Sequence, residues 1–142
     1  MKKIPLLLLM MHIFVFGFTQ SKVANLRTEN KINPFGIDDP QPRFSWQLVN
    51  DKRNTLQTAY EIIVSSPAGA VWKTGKTASD SSVHVTYQGM PLQSSTRYTW
   101  EVRVWDNTGK ASPWREPAFF QTAFLQVADW KAGWITPGYT ED

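Results

Sequence analysis

Apolar and polar positions alternate in short stretches along most of this chain, with Pro, Gly, Asn, Asp and Ser between the stretches. No segment sustains the apolar period of an amphipathic helix, so the pattern predicts strands. Val23 to Glu29 reads as the first. Phe44, Trp46 and Leu48 alternate with Ser45 and Gln47, which gives a second strand one apolar face. Between these two, Pro34, Pro40 and Pro42 forbid regular pairing, and Asn33 to Pro42 is expected to be a turn-rich loop. Tyr60, Ile62 and Val64 lie on one face of a third strand whose other face, through Ala59 and Ile63, is also largely apolar. That pattern suits a central position in a sheet.

Val71 to Thr74 is a short fourth strand that stops at Gly75. In the fifth, Val83, Val85 and Tyr87 are expected in the core, which sends His84 and Thr86 outward. The clearest alternation comes next: Tyr98, Trp100, Val102 and Val104 share one face, and Thr99, Glu101, Arg103 and Trp105 share the other. Asp106-Asn107-Thr108-Gly109 is a hairpin turn, because Asn and Gly tolerate positive φ. Ala118 to Thr122 forms a seventh strand. Seven short strands in roughly 100 residues, with links too short for helices, predict an all-β, two-sheet antiparallel sandwich.

The first residues stand apart from this pattern. Lys2 and Lys3 precede an apolar run from Ile4 to Phe18, broken only by Pro5, His12 and Gly17. Small residues follow at the spacing a signal peptidase reads, either Gly17 with Thr19 or Thr19 with Ser21, so residues 1–21 read as a secretory signal peptide. A membrane anchor is the rival reading, but a span needs about 20 apolar residues and this run is shorter. The expected division is a leader at 1–21, a sandwich at 22–125 and a linker at 126–142 toward a following domain. The expected location is periplasmic or extracellular.

Charge and cysteine content narrow the function classes. The chain has 142 residues, 15 Lys and Arg, 12 Asp and Glu, and no Cys. Both lysines of the first 21 residues leave with the leader, so 13 basic residues face 12 acidic ones. A domain so near neutrality has no field to draw in nucleic acid or an anionic membrane surface. Without disulfides, it must hold together by burial. His84 is the only histidine beyond the leader, and with no Cys present no cofactor or metal site is expected.

Acid pairs are the remaining route to catalysis. Acid–base hydrolysis carried by carboxyl groups alone needs two of them across a cleft. Asp38 and Asp39 are adjacent in a loop, where turn formation accounts for them. Glu61 and Glu101 are on strands and would need Arg103 or Lys73 nearby to coexist on one face. Neither pair reads as catalytic, so no catalytic residue is assigned.

Two resemblances sharpen the picture. Leu92, Thr96 and Tyr98, with Ser94 where Pro is usual, resemble the segment before the sixth strand of fibronectin type III domains. Trp46 and Tyr60 also fall where that fold keeps a core Trp and Tyr. The resemblance implies a tyrosine corner, in which a buried ring uses its hydroxyl to hold the preceding loop. Leu92, Tyr98, Trp100, Trp46 and Tyr60 are therefore the expected structural core.

The second resemblance is more specific. Asn33-Pro34-Phe35-Gly36-Ile37-Asp38 with Gln41 to Leu48, Gln57 to Val64, Trp72 to Lys76 and Arg97 to Asp106 are together similar to the N-terminal domain of bacterial α-L-rhamnosidases, glycoside hydrolase family seventy-eight. The likeness runs from about Val23 to Ile135. It implies a non-catalytic module, because that family's catalytic carboxylates belong to a helical barrel far downstream. Partners would then be the following domains of the same polypeptide, with rhamnose-bearing glycans as a further candidate. The docking or sugar-stacking surface is expected at Trp72, Trp105, Trp114, Trp130 and Trp134, with domain packing favoured over sugar binding. A free-standing carbohydrate-binding or adhesion module of the fibronectin type III kind is the alternative.

Overall fold

The computed structural model describes residues 20–133. Two antiparallel sheets face each other. The smaller contains β1 (Lys22–Thr28), β2 (Arg43–Val49) and β6 (Val85–Thr86), in the order β1-β2-β6. The larger has β4 (Gly69–Lys73), β3 (Gln57–Ser66), β7 (Arg97–Asp106) and β8 (Ala118–Gln121) in the order β4-β3-β7-β8, with β5 (Thr77–Ala78) also paired to β3. Among the described residues the only helical element is a single 3-10 turn, Val127–Asp129, so none is long and apolar enough to cross a membrane.

The central pair is β3 with β7, in register from Tyr60 opposite Val104 to Ser65 opposite Thr99. That register puts Tyr60, Ile62 and Val64 on the same inner face as Val104, Val102 and Trp100. From the other sheet, Phe44 and Trp46 meet them. Phe44 lies 4.5 Å from Trp100 between ring centroids and 5.8 Å from Phe120, and Trp46 packs edge-on against Tyr60 at 5.3 Å. Such rings bury large area and add an orientational term of about 0.5–1.5 kcal/mol per pair. Both buried indoles also find polar partners across the core. Trp100 Nε1 donates to Thr28 Oγ1 at 3.1 Å, and Trp46 Nε1 to Gln57 Oε1 at 2.9 Å.

Tyr98 is buried and its hydroxyl accepts the Gln93 backbone N–H at 2.8 Å, the loop-holding bond of a tyrosine corner. Leu92 is buried beside it.

The strand pattern departs from the alternation in three places. An eighth strand appears, β5, only two residues long and too brief to show a period. β1 ends at Thr28, since Glu29 and Asn30 both take positive φ. The fifth expected strand shrinks to Val85–Thr86, and Val83, expected in the core, is 62 % exposed. The cause is local: His84 takes φ +56° and gives its N–H to Ser45 Oγ at 3.0 Å, which breaks the alternation one residue after Val83. His84 and Thr86 do face outward.

Candidate functional site

Because β7 alternates so regularly, burying Tyr98, Trp100, Val102 and Val104 forces Arg97, Thr99, Glu101, Arg103 and Trp105 onto the outer face of the larger sheet. Cross-strand pairing then fixes their neighbours. Glu61 lies opposite Arg103, and the guanidinium binds that carboxylate at 2.7 and 2.8 Å. The same guanidinium lies over two indoles, 4.9 Å from the Trp105 ring and 4.7 Å from that of Trp114. Lys76 approaches Trp105 as well, at 4.7 Å. The two tryptophans are thus held in place by cation–π contacts rather than left loose in solvent.

A second group of this kind lies at the other end of β7. Arg97 stands over Phe119 at 4.4 Å and Phe35 at 5.4 Å, and the two rings meet edge-on at 5.5 Å. Neither Phe was singled out in the sequence. Phe119 carried a signal, as the outward neighbour of buried Phe120, whereas Phe35 sits in a loop with no period to mark it.

Trp72 does not belong to this surface. It lies opposite Val64, faces inward, and packs on Phe44 and edge-on against Tyr87 at 5.2 Å. Trp72, expected at a docking or sugar-stacking surface, is half-buried: cross-strand register turns its ring toward the core, and the remainder of the side chain reaches a groove on the other edge of the sheet. Tyr87 beside it donates its hydroxyl to Met90 O at 2.6 Å, and burial, with the nearby Tyr98 ring adding to it, pushes its pKa up to about 12.

Where the chain leaves the sandwich, Ser94 takes a leading part. Its hydroxyl donates to the Asp129 carboxylate and accepts the Leu125 N–H at 2.8 Å. This pins the Val127–Asp129 turn against the loop that the tyrosine corner holds. Three apolar side chains are left outside: Phe124, Val127 at 94 % exposure, and Trp130 at 61 %, the last packed edge-on against Phe124. Trp134, the last tryptophan expected at this surface, lies outside the described residues, as do residues 1–19 of the expected leader.

A groove of about 500 Å³ opens between β4, β5 and the β6 edge. Thr74, Thr77, Ser79 and Ser81 line it with hydroxyls, and Tyr60 and Trp72 supply aromatic surface. The acidic residues weighed from the sequence are engaged elsewhere where the structure shows their partners. Glu61 is committed to Arg103, and Asp39 accepts the Gln41 N–H at 2.8 Å within its own turn. No cluster of three metal-ligating side chains occurs among the described residues.

A two-sheet sandwich that pairs Glu61 with Arg103 and Glu29 with Arg43, and presents ordered aromatic groups on one sheet and at its exit, defines an immunoglobulin-like support or recognition module. Residues 23–126 match the family model described as Rha78A-like, N-terminal immunoglobulin domain. The chain belongs to that family. It is 39 % identical over 120 residues to an α-L-rhamnosidase of Streptomyces avermitilis, covering 81 % of this chain and 12 % of that protein. The crystal structure of a Streptomyces avermitilis α-L-rhamnosidase complexed with L-rhamnose superposes with a TM-score of 0.78 at 38 % identity, over 82 % of this chain and 12 % of that one. An α-L-rhamnosidase structure from Dictyoglumus thermophilum gives 0.77 at 39 % identity, over 80 % of this chain and 14 % of that one. The chain spans only 12–16 % of the length of the curated relatives it matches.

Proposed function

We propose that this chain is the exported, non-catalytic N-terminal module of a larger α-L-rhamnosidase, and that its work is to seat the domain that follows. The observation that carries this reading is the exit. Phe124, Val127 and Trp130 stand exposed on a turn fixed by Ser94 and Asp129, at the place from which a following domain would grow. Apolar side chains gathered there are costly unless something covers them. The relatives are far longer, since 12 % of each corresponds to this chain, and the matching family model describes an N-terminal domain. Export rests on the leader pattern of residues 1–21.

Two measurements test the reading. Sequencing the gene past codon 142 should show in-frame continuation into further domains, and a stop codon followed by unrelated sequence would favour a free-standing binding module. The 142-residue chain itself should release no chromophore from an aryl α-L-rhamnoside. Turnover by it would end the support reading.

A second reading is glycan binding, and one feature favours it: the hydroxyl-lined groove beside Tyr60 and Trp72. Alternating hydroxyls and an aromatic wall suit a neutral sugar. Titrating L-rhamnose into the chain while following tryptophan fluorescence tests this. A saturable change lost in Thr77→Val supports it, and a flat titration up to high concentration removes it.

A further inference from the structure

Two leader cuts fit the small-residue spacing, one after Thr19 and one after Ser21, and the fold distinguishes them. Ser21 is 2 % exposed. Its hydroxyl donates to Asp106 Oδ2 at 2.5 Å and accepts from Asn50 Nδ2 at 2.8 Å. One short side chain thus joins the end of β7 to the turn after β2. Gln20 adds a second tie, its Nε2 donating to Ala111 O at 2.8 Å. A residue discarded with a leader cannot contribute to the mature fold, whereas in this structure both of these side chains are bonded to the sandwich.

From this we infer that the leader is removed between Thr19 and Gln20, so that Gln20 is the first residue of the mature domain. The inference rests on the export reading above. The step is hydrolysis of one peptide bond by a signal peptidase. Water supplies the hydroxyl that completes the Thr19 carboxyl group and the proton that completes the Gln20 amine. Gly17 and Thr19 then occupy the two small positions the peptidase reads.

Cutting after Ser21 would take away the hydroxyl on which Asp106 and Asn50 converge. A buried carboxylate that loses a hydrogen-bond donor loses stability, so that product would be a weakened domain. A chain that begins at Gln20 keeps every one of these bonds.

The whole 142-residue chain, expressed in a bacterial host and recovered from the periplasm or medium, provides the test. Intact mass and N-terminal sequencing should give a chain starting at Gln20, as the free amine or cyclised with loss of ammonia. A start at Lys22 overturns the inference and leaves the export reading standing. An uncut chain retained in the cytoplasm overturns both. A second comparison is independent of the peptidase: a chain starting at Lys22 should melt roughly 5 °C or more below one starting at Gln20. Ser21→Ala in the longer chain should reproduce most of that drop, and equal melting of all three would overturn the structural argument.

Discussion

Trp100 Nε1 and Thr28 Oγ1 are hydrogen-bonded across the core, 3.1 Å apart and 72 positions apart in sequence. Both are buried, so neither has water to fall back on. Thr28→Val keeps the shape and removes the acceptor. The indole N–H is then left unsatisfied, at a cost of about 1–3 kcal/mol. The urea midpoint should fall accordingly with an unchanged m-value, and Thr28→Ser, which keeps the oxygen, should lose less.

Asp106 links acidity to stability. Burial alone would raise its pKa, but hydrogen bonds from the Ser21 and Thr108 side chains and from the Thr108 and Lys110 backbone outweigh this, and the net shift is downward. A carboxylate depressed in the folded state contributes stability that is fully present above its unfolded value of about 3.9. That contribution is lost as pH falls through the folded value. Melting temperature should therefore decline below about pH 4, and Asp106→Asn should start lower and decline less steeply over the same range.

Gly89 is a packing constraint rather than a turn residue. A Cβ added there would lie 2.5 Å from both the Tyr87 hydroxyl and the Trp72 Cβ. Gly89→Ala should cost about 1–3 kcal/mol through overpacking and disturb the Tyr87 bond to Met90. Spectrophotometric titration would show it, because Tyr87 would ionise at lower pH than the value near 12 of the parent protein.

Ser94→Ala tests the exit. It removes the bonds to Asp129 and Leu125 while leaving Tyr98 and its loop bond in place. Amide exchange at Leu125 should accelerate several-fold, with little change in the global melting temperature, since the change is local. Fast exchange at Leu125 in the parent protein would show that the turn is not held.

Much of this architecture was legible in the chain. β7 was clear because it alternates over ten residues with large rings on one side and charges on the other, and the tyrosine corner followed from Leu92, Thr96 and Tyr98. What escaped was set by tertiary contact or by backbone sign. His84 at positive φ ended an apparent Val83-Val85-Tyr87 face, and nothing in residue type forces that. Trp72 turned inward through its register with Val64. Phe35 meets Arg97 and Phe119 only because a loop folds over the sheet. Ser94 read as a flaw in a familiar motif, yet its hydroxyl is what holds the departing chain. The burial of Ser21 depends on Asp106, 85 positions away, a contact that no local pattern marks.

The bonds of Ser21 and Ser94 have a geometric consequence. Ser21 is tied to Asp106, the last residue of β7, while Ser94 lies just ahead of Arg97, the first. A strand of that length rises about 30 Å. The polypeptide thus arrives at one pole of the molecule and departs from the opposite one. The start of the sandwich at Ser21 and its exit beside Ser94 are therefore held a full strand length apart.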